Sequence, residues 1–186
     1  CCGKGLHDKC NTDLETNKSM TLEQKNTCIM CRAKHVDNGS KEDIERLHKW
    51  TKKGKAWAMC LLAQRYKDGV GVKQSNKKAN ELYEMAAKRG NATAQYILGQ
   101  FYQQGIRGVA QSSKRASEYY TLAANQGDAF AQFNLGVMYA NGDGIEQSDK
   151  KAIELFEMAA KRGDANAQHN LGLYYHQGSH GLTQSS

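Results

Sequence analysis

From residue 56 onward the apolar positions repeat every 36 or 37 residues. In Ala94–Tyr102 the recurrent residues Ala94, Leu98, Gly99 and Tyr102 fall at i, i+4, i+5 and i+8, which is one face of a helix. The small residue returns as Ala63, Gly99, Gly136 and Gly172. Three residues after each comes Tyr66, Tyr102, Tyr139 or Tyr175, and six after each comes Gly69, Gly105, Gly142 or Gly178. A second amphipathic stretch follows, from about Lys77 to Lys88, with Ala79, Leu82, Tyr83, Ala86 and Ala87 pointing inward. It stops at Gly90, whose counterparts are Gly54, Gly127 and Gly163. The pattern predicts pairs of helices, each pair one repeat.

The landmarks have separate physical jobs. Glycine inside a helix gives up about 1 kcal/mol of propensity, so its return at Gly99, Gly136 and Gly172 predicts a crossing helix where a side chain would collide. The alanine pairs Ala86/Ala87, Ala123/Ala124 and Ala159/Ala160 suit close packing in the same way. Gly69, Gly105, Gly142 and Gly178 end first helices, and a Gln-Ser dipeptide at Gln74, Gln111, Gln147 and Gln184 precedes the second helices. The Gly-to-Gln loop is one residue longer in the second and fourth repeats. Residues 40–54 end in register at Gly54 and read as a capping half-repeat, with Ser40 and Asp43 as a capping box and Ile44, Leu47 and Trp50 packing on repeat one. The expectation is seven helices over 41–186 and no strand within 56–178. The absence of proline agrees with uninterrupted helices.

The run Ala131–Ile145, followed by Lys151-Ala152 and Ala159-Ala160-Lys161-Arg162-Gly163, resembles the Sel-one-like repeat family, a relative of the tetratricopeptide repeats. The resemblance implies an all-α, right-handed solenoid that binds other proteins. Its repeats fall at about 56–92, 93–129 and 130–165, with a truncated fourth at 166–186. Repeat one departs in having Ala63 for glycine. Stacked repeats present an extended groove, and the first-helix positions away from the core face are its candidates: Tyr96, Gln100, Phe133, Val137, His169 and Leu173.

Five of six cysteines lie in the first 31 residues. His7-x-x-Cys10 and Cys28-x-x-Cys31 each have the spacing of two ligands to one tetrahedral zinc, and Cys1 and Cys2 begin a third group. Zinc is expected here rather than disulfides or free thiols. The order over residues 1–39 resembles the later ligand pairs of a RING finger, and the whole chain looks like the RING-plus-repeat proteins of diatoms. That resemblance implies two interleaved zinc ions in the full module and a ubiquitin-conjugating enzyme as a possible partner. It also implies a donor-ubiquitin contact at Arg32. Ile29 stands where such fingers usually carry proline. The chain begins at Cys1 and ends inside a repeat unit, which reads as part of a longer protein.

The net charge of +7 is spread over both parts of the chain, so a solvated surface is expected rather than a nucleic-acid site. No apolar run is long enough for a membrane span. No Ser-His-Asp set, phosphate loop or HExxH motif points to a metabolic active site. Gly69-Val-Gly71 and Gly142-Asp-Gly144 are repeat loops. The function expected is an intracellular, cytoplasmic protein–protein interaction scaffold with a zinc-binding head. The alternative is a RING-type ubiquitin ligase whose repeats recruit substrate.

Overall fold

The computed structural model describes residues 37–177. Among them the chain forms eight α-helices and no strand: α1 Lys41–Lys52, α2 Ala56–Asp68, α3 Asn76–Lys88, α4 Ala92–Gln104, α5 Ser113–Asn125, α6 Ala129–Asn141, α7 Asp149–Lys161 and α8 Ala165–Gln177. The expected count of seven is therefore corrected to eight. The half-repeat supplies one helix, three repeats supply two each, and the last repeat supplies its first. Cys1, Cys2, His7, Cys10, Cys28, Cys31 and Arg32 lie outside the described residues.

Each repeat is built by the same local chemistry. Ser75, Ser112 and Ser148 accept hydrogen bonds from the N–H groups of Lys78, Arg115 and Lys151, and so open α3, α5 and α7. Asn91, Asp128 and Asp164 open α4, α6 and α8 through the N–H groups of Ala94, Ala131 and Ala167. The glutamine of each Gln-Ser dipeptide reaches back. Gln74, Gln111 and Gln147 donate their amides to the carbonyls of Lys67, Gln103 and Ala140 near the end of the preceding helix. One dipeptide thus closes one helix and opens the next. The extra loop residue in repeat two is absorbed with Arg107 in the left-handed region (φ 61°), its carbonyl accepting from Asn80 Nδ2 at 2.9 Å.

The helical glycines stand at crossings. A Cβ on Gly99 would lie 2.6 Å from the ring of Tyr120, and one on Gly136 would lie 2.7 Å from the ring of Phe156. Both rings come from the second helix of the same repeat and are fully buried. Between repeats, Gln95, Gln132 and Gln168 donate to the carbonyls of Ala87, Ala124 and Ala160, tying each first helix to the second helix before it. The recurrent tyrosines serve as aromatic platforms. Lys78 sits 5.1 Å from the ring centre of Tyr66, Arg115 5.1 Å from Tyr102 and Lys151 5.0 Å from Tyr139.

Helix α1 caps the stack. Leu47 is buried with Ala58 and Leu62, while Trp50 and Trp57 pack partly buried with ring centres 6.0 Å apart. Ser40 accepts from the Asp43 N–H, as a capping box requires. The carboxylate of Asp43, however, accepts from the Gly39 N–H at 3.0 Å, one residue short of the cap. It is also bound by Arg46 Nη2 at 3.0 Å and Arg65 Nε at 3.1 Å, so this buried charge is paired on both sides. Among the described residues, no helix is long and apolar enough to cross a membrane.

Candidate functional site

The first helices α4, α6 and α8 contain no Asp, Glu, Lys or Arg. Charge is concentrated on the second helices and the connections, in a chain with 26 basic and 19 acidic residues. Neighbouring first helices touch directly: the rings of Tyr96 on α4 and Phe130 on α6 are 5.9 Å apart. These three helices therefore bring no Asp, Glu, Lys or Arg of their own to the face they share, although the Tyr174 and Tyr175 hydroxyls on α8 donate to the carboxylates of Asp149 and Glu157. This feature escaped the reading of the chain as a whole, where the charge appeared evenly spread. Sorting charge by helix would have found it.

The six predicted groove residues fall into two registers. Tyr96, Phe133 and His169 are equivalent to one another, as are Gln100, Val137 and Leu173. Tyr96 is half-buried between Tyr120 and Phe130, and its hydroxyl accepts from Gln100 Nε2 at 2.8 Å. Burial pushes its phenol above the usual range. Phe133 is half-buried against Phe156, with ring centres 5.8 Å apart. Tyr96 therefore packs both within its own repeat and against the next, and Phe133 packs on the second helix of its own repeat. His169 is exposed and does not line the pocket described next.

Val137 and Leu173 come together. They line a pocket of about 280 Å³ between α6 and α8, with the buried Phe156 at its base. Ala140 and Tyr174 complete its apolar wall, and Asn141 and Asn170 contribute carboxamides. Comparison with the preceding repeat explains the space. There the residues equivalent to Phe156 and Ala140 are Tyr120 and Gln103, and the Tyr120 hydroxyl donates to Gln103 Oε1 at 2.8 Å. Phenylalanine and alanine remove both polar groups and leave a hole. Leu173 is 46% exposed beside it, much as Leu61 and Leu122 are elsewhere on the surface.

The other candidate chemistry is inert. Cys60 is buried, its thiol pushed up to about 11 by desolvation, which keeps it protonated and unreactive. His48 is exposed and stands edge-on to Tyr66. Among the described residues no group of three or more His, Cys, Asp or Glu side chains could hold a metal ion.

The family described as the Sel1 repeat matches residues 58–91, 92–128, 129–164 and 165–186. Among solved structures, the chain is similar to a Sel1 repeat protein from Oxalobacter formigenes, with 33% identity and a TM-score of 0.68. That match covers 70% of this chain and 98% of the other. It is also similar to c5321, a protective antigen of uropathogenic Escherichia coli strains displaying an SLR fold, with 32% identity and a TM-score of 0.69. There it covers 73% of this chain but only 29% of the antigen. The cysteine-rich protein B of Helicobacter pylori shares the fold at 24% identity and a TM-score of 0.52, covering 69% of this chain and 96% of that one. No curated protein matches the chain.

Proposed function

The chain belongs to the Sel1 repeat family, and from that premise we propose that it is a scaffold holding a partner polypeptide along the face of its first helices. The observation that carries this reading is the pocket between α6 and α8, two helices without Asp, Glu, Lys or Arg, bounded by the exposed Leu173. An open pocket lined by apolar side chains together with carboxamides is a surface of the kind proteins keep for binding. A second apolar row, Met85, Leu122 and Met158, is exposed on the second helices and supplies the control. Pull-downs with the whole chain test the proposal. Val137→Asp with Leu173→Asp should abolish recovery of partners, and Met85→Asp with Met158→Asp should leave it unchanged. The opposite pattern would move the binding surface to the second helices.

For residues 1–39 the proposal rests on cysteine spacing alone. Cys28 and Cys31, with Cys1 or Cys2, would share one zinc, and His7 and Cys10 would contribute to another. Elemental analysis should find zinc, and a metal-free protein with a Cys28–Cys31 disulfide would reject the head. A ligase would build ubiquitin chains with at least one conjugating enzyme and lose that activity in Arg32→Ala. A scaffold would discharge ubiquitin from none. The scaffold is the reading favoured here, because the family match covers the repeats.

A further inference from the structure

We infer that the loop edge of repeats one and two docks on an anionic membrane surface. Val70 and Ile106 enter the headgroup region, and the lysines and arginines around them hold the anionic lipid heads. The inference goes beyond the scaffold reading and involves neither α6 nor α8.

The edge lies where each first helix ends and its second helix begins. In repeat one, residues 67–78 include four basic side chains and one acidic; in repeat two, residues 103–115 include three basic and none acidic. The equivalent residues 140–151 of repeat three include two basic and three acidic. The net charges are therefore +3, +3 and −1. The two basic segments are neighbours, because Asn80 Nδ2 on α3 donates to the Arg107 carbonyl of the second loop at 2.9 Å. Lys73, Lys77 and Lys114 are exposed and make no ion pair among the described residues. Glu81 and Glu118 stand one turn further along α3 and α5.

Single apolar residues stand at the tips of the two basic loops. Val70 and Ile106 each follow the left-handed glycine that ends a first helix, and each is 39% exposed. An apolar residue at this place often packs back on the helix it follows. The turn here does not require one. Asp143 holds the equivalent place in repeat three, and its N–H reaches the Met138 carbonyl at 3.0 Å. The N–H groups of Val70 and Ile106 reach Arg65 and Phe101 in the same way, at 3.0 and 3.3 Å. Tip and charge thus change together: the tip is apolar where the edge is basic, and aspartate where it is acidic.

Apolar side chains leading and cations around them are what an anionic bilayer surface takes up. An acidic polypeptide would satisfy the cations and set its carboxylates beside two exposed apolar tips. Single-stranded nucleic acid binds by stacking its bases on aromatic faces. The aromatic rings near this edge are already covered, Tyr66 by Lys78 and Tyr102 by Arg115, each at 5.1 Å.

Flotation of the whole chain with lipid vesicles tests the inference. The chain should rise with phosphatidylcholine vesicles containing about one third phosphatidylserine, and not with phosphatidylcholine alone. Val70→Asp with Ile106→Asp installs the residue that repeat three already carries, and should lower partitioning roughly tenfold or more. Lys73→Gln with Lys77→Gln and Lys114→Gln should lower it by about fivefold for each cation removed. This variant serves if loss of the Val70 contact with Gly39 disturbs folding. Asp143→Ile with Glu146→Lys extends the edge into repeat three and should raise partitioning. No flotation with anionic vesicles, or flotation that survives both sets of substitutions, would overturn the inference. Flotation lost with the lysines but indifferent to the tips would also overturn it, and would assign the edge to a soluble polyanion such as an acidic polypeptide or RNA.

Discussion

At position 136 a methyl group has no room. A Cβ there would stand 2.7 Å from the Phe156 ring and 3.3 Å from the Ala152 carbonyl oxygen, and both belong to a packed second helix. Overpacking of this kind costs about 1–3 kcal/mol. Gly136→Ala should therefore lower stability by about that amount despite alanine's better helix propensity. The equivalent Gly172 meets nothing within 4 Å among the described residues, so Gly172→Ala should gain up to about 1 kcal/mol from propensity alone. Chemical denaturation of the two variants checks the contrast, and equal effects of one sign would contradict it. A second contrast concerns the three equivalent rings Tyr83, Tyr120 and Phe156. The Tyr120 hydroxyl is paired with Gln103, whereas the buried Tyr83 hydroxyl has no partner among the described residues. Burial pushes both phenols up. Tyr120→Phe should cost about 1 kcal/mol, and Tyr83→Phe should be neutral or stabilising, because an unmade buried hydrogen bond is a liability. Matched losses in thermal melts would show that Tyr83 has a partner after all.

At the scale of the helix, the strongest signals in the sequence were those fixed by backbone sterics. Gly99 and Gly136 at crossings and glycines at helix ends have few substitutes, so their period is visible. Long polar side chains were harder to read. Gln95 recurs as Gln132 and Gln168, but glutamine suits a solvated helix surface equally well. Only the fold shows Gln95 and Gln132 buried and clamped to the preceding helix. Asp43 stands at the buried position that Ala79 holds in the next repeat, and its spacing from Ser40 predicts half of a capping box. Its real burden is the pairing with Arg65, 22 residues away, which local patterning does not reveal. The pocket was half legible: Val137 and Leu173 followed from register, but the hole depends on Phe156 and Ala140 differing together from Tyr120 and Gln103. The clamps differ in depth. Gln95 also accepts from Gln126 at 2.6 Å and is 3% exposed, whereas Gln168 is exposed with a longer bond of 3.4 Å. Gln95→Ala should cost about 1–2 kcal/mol by leaving buried groups unpaired. Gln168→Ala should cost less than about 0.5 kcal/mol. Urea midpoints for the pair measure this directly, and equal shifts would show that the buried clamp contributes no more than the exposed one.

At the scale of the molecule, each helix packs chiefly on its neighbours in sequence. A solenoid of this kind is a sum of repeats and their interfaces, and its function depends on the surface the stacking creates. That surface changes along its length. Gln100 gives way to Val137 and Leu173, and Gln103 to Ala140, while other registers bring in His169, Asn170 and His176 on α8. The surface of α6 and α8 is the one proposed to hold the partner. Amide hydrogen exchange on the whole chain, with and without a captured partner, addresses this most directly. Added protection is expected in Ala129–Asn141 and Ala165–Gln177, with α3 and α5 unchanged. Protection confined to the second helices, with α6 and α8 exchanging as in the free protein, would contradict it.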